Sequence, residues 1–258
     1  MKSWAAFALG LSGVLAAAGP AGAERLIAAL SNHRVMITSS YTGVELVLFG
    51  SVEQDAASLA RHGPYDIVAT ISGPRESLRA RRKQRVLGIW VNTQSRTFVD
   101  PPSYLAVLAN RPLDAIASAD NLRRMQIGIA NTRLPELIHS DIGEVSNDPF
   151  RAALVRLMGE RGLYSEQSNA VTFLTPTLFR AAITLPAQVP IGDYAVDVKL
   201  FAGGTLVAHT TSAFEIVKVG FEQFVVNAAR DHGVLYGLAI AMMALVTGWI
   251  ASVAFRRD

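Results

Sequence analysis

Not one of the 258 residues is a cysteine. The chain therefore has no disulfide to staple it and no thiol to carry the lipid of a lipoprotein, so an exported body must hold together by packing and hydrogen bonds. Histidine is scarce and scattered. His33, His62, His139, His209 and His232 form no H-x-x-x-H or H-E-x-x-H spacing. The one local grouping of metal-ligand types is His139 with Asp141, Glu144 and Asp148, and those carboxylates suit a loop and a helix N-terminus equally well. No metal site is expected there. Also missing are the G-x-S-x-G elbow, the phosphate-binding loop and the dinucleotide fingerprint, so no catalytic or cofactor-binding residue stands out and an enzyme is not expected. A triad assembled only by folding is invisible to sequence, which keeps an enzyme on a β scaffold as a third reading.

What is present in quantity is apolar sequence. Gly233 to Phe255, GVLYGLAIAMMALVTGWIASVAF, holds no charged residue and at about 1.5 Å rise per residue matches a hydrocarbon core about 30 Å thick. It predicts a transmembrane helix over 233–255, with Tyr236 and Trp249 as interfacial anchors. Arg256, Arg257 and Asp258 follow. By the positive-inside rule this tail, 256–258, is cytoplasmic and the rest of the chain lies across the membrane.

At the other end, Lys2, an apolar run from Trp4 to Ala18 and the small residues Ala21 and Ala23 after Pro20 read as a signal peptide over 1–23, cleaved after Ala23. An uncleaved anchor, giving a two-pass protein, is the alternative, and both place the middle of the chain on the same side. The formal charge of +3 is small, and the exported compartment argues against nucleic acid as a partner.

Between the termini the pattern is mostly β. Leu26 to Leu30, Arg34 to Thr38, Val44 to Gly50, Tyr65 to Ser72, Arg85 to Val91, Thr97 to Val99 and Ser103 to Leu108 read as short strands separated by turn formers. Asp100-Pro101-Pro102 must bend, since proline cannot feed a central ladder. Residues 24–111 thus predict an antiparallel β-sandwich, immunoglobulin-like in layout. Trp90, in an apolar strand, is expected in its core.

From Pro112 the texture changes. Leu113 to Met125 and Pro135 to Ile142 look helical, and Asp148 to Arg161 has Asn147 or Asp148 as its cap, a proline at its first turn, an apolar stripe of Phe150, Ala153, Leu154, Leu157 and Met158, and Gly162 as a stop. Strand signals resume at Ala170 to Leu174, Leu178 to Leu185, Gly192 to Phe201 and Thr205 to Val217, the last two joined by a Gly203-Gly204 hairpin turn. Residues 112–217 predict an α+β domain with a sandwich-like end, and the roughly 200 residues between the termini suit one large or two small domains. Phe221, Phe224, Val225 and Ala228 then recur at helical spacing, which predicts an amphipathic juxtamembrane helix over 218–232. The fold class expected is mainly β with an α+β second part and one C-terminal transmembrane helix.

Two sets of residues are candidate sites. Gly233, Gly237, Ala241, Ala244, Gly248 and Ser252 fall on one side of the span as a strip of small side chains that lets another helix approach closely. The strip predicts a membrane-protein partner or self-association; the general abundance of Gly and Ala in spanning helices also accounts for it. Arg79, Arg81, Arg82, Lys83 and Arg85 form a basic cluster suited to phospholipid headgroups, an oxyanion or an acidic face of a partner. A solvated hairpin that keeps a strand edge from aggregating explains the same residues without a ligand.

The stretches Arg81-Arg82-Lys83-Gln84-Arg85-Val86-Leu87-Gly88-Ile89-Trp90-Val91-Asn92 and Pro190-Ile191-Gly192-Asp193-Tyr194, with the overall layout, resemble an uncharacterised family of alphaproteobacterial transmembrane proteins. The resemblance covers nearly the whole chain and transfers no functional residue. It implies an inner (plasma) membrane location with a periplasmic ectodomain, and a genomic neighbourhood holding permeases that resemble sulfite exporters. The function expected is an accessory or assembly partner of a membrane complex, with a transporter for an anion such as sulfite as the candidate complex. A membrane-anchored periplasmic module that binds an anion or other ligand through the arginine cluster is the second reading.

Overall fold

The computed structural model describes residues 24–53, 64–135, 148–220 and 229–254. The first part of the chain forms β1 (Arg25–Leu30), β2 (Arg34–Ile37), β3 (Gly43–Glu53), β4 (Tyr65–Ser72), β5 (Leu78–Val86), β6 (Ile89–Phe98) and β7 (Leu105–Ala109). Helices α1 (Leu113–Ile116) and α2 (Ala119–Arg124), a 3-10 turn (Ile129–Asn131) and α3 (Pro149–Glu160) follow. The chain then returns to strands in β8 (Tyr164–Gln167), β9 (Val171–Phe173), β10 (Leu178–Pro186), β11 (Gly192–Ala202) and β12 (Thr205–Lys218), before α4 (Gly233–Ala254). The chain is mainly β, as the patterning predicts.

Two sheets enclose the main core. One has the order β1-β3-β10-β9 and is antiparallel throughout; the other has the order β2-β12-β11-β4-β7-β8. Alternation builds the first: Leu46, Leu48 and Val52 of β3 and Phe179, Ala181, Ile183 and Leu185 of β10 point inward, while Glu45, Phe49 and Glu53 face solvent. Burying a side chain such as Leu48, Ile183 or Phe179 contributes roughly 1.5–3 kcal/mol each, the main resource of a chain without disulfides. Opposite them lie Ile67 and Ile71 of β4, Val196, Val198 and Leu200 of β11, and Ile216 of β12.

The second sheet is covered on its other face as well. Val68, Val107, Ala109 and Phe201 pack there against Ile116, Ala117, Leu122 and Ile127, so α1, α2 and the segment after them form a third layer. Both faces of β4 and β7 are therefore buried, which is why Asp66-Ile67-Val68-Ala69 and Leu105 to Ala109 show no alternation.

The pairing differs from the sequence expectation in three respects. First, β3 pairs with β10 and β4 with β11, across the division expected at Pro112. Residues 24–111 and 112–217 share both sheets and one main core, because each half alone would leave central strands half-paired. Second, the edge strands β2 and β8 pair parallel with β12 and β7, not antiparallel. A parallel neighbour needs a long crossover, and the helical segment between β7 and β8 supplies it. Third, on α3 the buried residues are Leu154 and Met158, with Leu157 exposed. The cap is as predicted: Asp148 accepts from the Phe150 N–H at 3.1 Å, and Gly162 (φ +70°) ends the helix. The signal segment, most of Pro135 to Ile142, residues 221–228 of the juxtamembrane segment and the tail from Phe255 lie outside the described residues.

Three tyrosines lock one end of the sandwich. Tyr104 donates to the Thr184 carbonyl (2.9 Å), Tyr164 to Pro102 (2.6 Å) and Tyr194 to Pro190 (2.6 Å). Tyr194 stacks on Phe214 at 4.9 Å and meets Tyr104 edge-on at 5.7 Å. Burial raises the pKa of all three phenols, Tyr164 to about 12 and the other two further.

Groups whose pKa is raised on folding stabilise fully below their unfolded value, about 10 for tyrosine, and lose that contribution as pH climbs towards the folded values. The expected outcome is a detergent-phase thermal midpoint unaffected by these phenols between pH 7 and 9 and falling above pH 10, with a shallower fall in Tyr104→Phe. A second test concerns Gly50, which faces inward under the Phe179 ring, and where a Cβ would stand 2.8 Å from the Ile27 carbonyl oxygen. Gly50→Ala is expected to cost about 1–3 kcal/mol, read as a lowered midpoint in near-UV circular dichroism.

Candidate functional site

The strip of small residues lies on α4. Among residues 233–252 none is buried, and a Cβ added at Gly233, Gly237 or Gly248 would meet nothing within 4 Å. Ala241, Ala244 and Ser252 are likewise exposed. Thr247 returns its hydroxyl to the Met243 carbonyl (2.7 Å), so the span's one threonine satisfies itself within the helix. Among the described residues, no other part of the chain packs on the strip.

The basic cluster folds differently from the expectation. The sequence suggests a strand from Arg85 to Val91 with Trp90 in the core; instead the chain reverses at Leu87-Gly88, and β5 and β6 pair as a separate two-stranded hairpin. Arg85 stands opposite Trp90, and Val86 opposite Ile89. Trp90 is 69% exposed, Ile89 66% and Leu87 100%. Trp90 is at a hairpin tip, not in the core, because the ladder there has no second sheet to lie against.

The turn itself is unusual. Leu87 has φ +49° and Gly88 φ +88°, the two left-handed residues of a tight hairpin loop. Asn-Gly or Asp-Gly is the usual pair, and holding a leucine there costs roughly 1–2 kcal/mol. The strained position thus coincides with a large apolar side chain left wholly in solvent.

Below the tip the stem is cationic. Arg79, Arg81, Arg82, Lys83 and Arg85 are exposed. Arg79 donates to Ser95 (3.1 Å) and Arg85 to the Gly88 carbonyl (3.3 Å), while Arg81, Arg82 and Lys83 have no ion pair among the described residues. Thr93 is a bulge opposite the Arg82–Lys83 step, which adds twist. The base is anchored: Phe98 is fully buried and Arg96 lies 5.9 Å over the Phe150 ring of α3.

A concavity of about 680 Å³ opens at the start of β4, lined by Tyr65, Asp66, Arg111, Asp114, Ser118 and Gly204 among others. Sequence reasoning passed over it, since Asp66 and Arg111 are far apart in the chain. Arg111 grips Asp66 with two nitrogens, the Nε contact being 2.7 Å, and Asn110 adds a bond at 2.9 Å. The Asp66 carboxylate in turn raises the Arg111 pKa, chiefly through these hydrogen bonds. Asn110 also accepts from the Ile67 N–H (2.8 Å), so the group ties β4 to the end of β7. No histidine lines this concavity, and no group of three metal-ligating side chains occurs among the described residues. His139, Asp141 and Glu144 lie outside them.

The family model described as "Putative transmembrane protein (Alph_Pro_TM)" matches residues 25–257. No curated protein matches the chain. The chain belongs to that family, and its apolar C-terminal helix is the candidate span.

The Asp66–Arg111 pair is asymmetric: the Asp66 side chain is 3% exposed and that of Arg111 46%. Arg111→Ala leaves a buried carboxylate with Asn110 alone and is expected to cost about 3 kcal/mol. Asp66→Asn frees an arginine that water can reach and should cost about 1 kcal/mol. Urea unfolding of the two variants, compared at pH 7, checks the order.

Proposed function

We propose that this member of the family is a single-pass inner-membrane protein that presents its β body on the periplasmic side as an accessory or assembly subunit of a membrane complex. The observation that carries the reading is the exposed strip of small side chains from Gly233 to Ser252. Small side chains spaced by three and four let a second helix come within close backbone contact, and association in lipid depends on such packing because the hydrophobic effect adds nothing between helices there. The arginine-bearing tail supports the orientation. The resemblance to relatives found near sulfite-exporter-like permeases suggests a transporter for an anion such as sulfite as the partner.

A photoreactive residue at Ala241, cross-linked in native membranes, is expected to capture a different membrane protein, and Gly237→Leu with Gly248→Leu is expected to abolish that product and co-purification in mild detergent. Capture of this chain alone, or of lipid alone, overturns the accessory role.

A further inference from the structure

We infer that the β5–β6 hairpin is a second membrane contact: its tip enters the headgroup and upper acyl region of the leaflet facing the β body, and its stem cations bind anionic lipid headgroups. The first observation is chemical. From Leu78 to Phe98 the hairpin carries Arg79, Arg81, Arg82, Lys83, Arg85 and Arg96 and no acidic residue, and it ends in exposed Val86, Leu87, Ile89 and Trp90. Aliphatic side chains at the end, a tryptophan beside them and cations further back follow, in order, the acyl, interfacial and phosphate levels of a leaflet.

The second observation is topological. Strands β4 and β12 are both antiparallel to β11 and so run the same way, with Ser72, Ala195 and Ala213 level. From that level β12 continues to Lys218, and the chain goes on to the span. The hairpin leaves β4 at the same end. Its root continues the β4–β7 ladder: the Gly73 N–H donates to Tyr104, the Ser103 N–H to Pro74, and Arg75 bridges Pro102. Tyr104 and Tyr194 pack against Gly73, so the root is held by the aromatic end of the core.

Reach depends on the segment before the span. The nine residues of β5 extend about 30 Å; residues 219–232 span about 50 Å at full stretch but about 20 Å as the helix their spacing predicts, and at that length the tip reaches the leaflet. A protein partner with an acidic rim and an apolar pocket is the competing ligand. Lipid is favoured because the chain leaves the sheet towards its candidate span from this same end.

The absence of cysteine makes the test direct. Leu87→Cys in the full chain takes a single spin label, and Thr205→Cys, at the other end of the second sheet, is the reference. In nanodiscs of one quarter phosphatidylglycerol in phosphatidylcholine, the label at 87 is expected to be accessible to oxygen and shielded from a water-soluble nickel complex, with the label at 205 showing the reverse. Arg81→Gln, Arg82→Gln and Lys83→Gln together should lower the inserted-to-free ratio by about two orders of magnitude, as should pure phosphatidylcholine. Equal depth in both lipids overturns the role of the cations. Nickel access at 87 equal to that at 205 in both lipids overturns insertion and leaves a protein partner as the hairpin's ligand. The result is independent of what cross-links to Ala241.

Discussion

The structure depends on one strand buried on both faces. β4 must satisfy its backbone on two sides, and it does so with β11 and β7. It must also cover two sets of side chains: Ile67, Ala69 and Ile71 fill the main core, and Val68 fills the space beneath the short helices. Its ends bear the consequences. At the start a carboxylate is buried and must be paired, which Arg111 and Asn110 accomplish. At the finish Gly73-Pro74 removes a side chain and a donor where Tyr104 and Tyr194 crowd in, and the ladder leaves the sheet as the cationic hairpin. The concavity and the hairpin are thus the two ends of one buried element.

Much of this order was legible wherever burial is one-sided. Ala195 to Leu200 alternates and forms β11, and Leu178 to Leu185 alternates and forms β10. The Asp148-Pro149 start and Gly162 stop of α3 are local chemistry, as are the Gly203-Gly204 turn and the length of the span. Pairing between distant segments was not legible. Nothing in Val44 to Phe49 specifies Arg180 to Leu185 as its neighbour, so the change of texture at Pro112 suggested a domain boundary where the sheets have none.

The hairpin shows the other limit. Arg85 to Val91 satisfies the pattern of a buried strand, since apolar residues on both faces mean a covered strand in most settings. Its turn lacks the Asn or Asp that usually marks one, because Leu87 occupies the strained position. The cations were visible by composition, but their lack of ion pairs among the described residues and the exposure of Trp90 depend on what does not pack nearby. Sequence carries no record of an absent neighbour.

The two membrane-facing devices constrain different degrees of freedom. A single span limits how far the body stands from the bilayer, to at most the contour length of residues 219–232, and a second contact away from that attachment limits tilt. The hairpin is rooted rigidly through Phe98, Tyr104 and Tyr194, and leaves the sheet at the end from which β12 departs. With its tip seated in lipid as inferred, that end faces the membrane and the concavity beside Asp66 and Arg111, at the opposite end of β4, faces away from it. A partner bound along the span would then meet the root of the hairpin and the aromatic end of the sandwich, while the concavity stays open to the aqueous compartment. Fixing tilt costs rotational entropy once, and the cations recover it through contacts that fall off within a Debye length of the surface. That short range suits an element meant to orient a body already tethered rather than to recruit it.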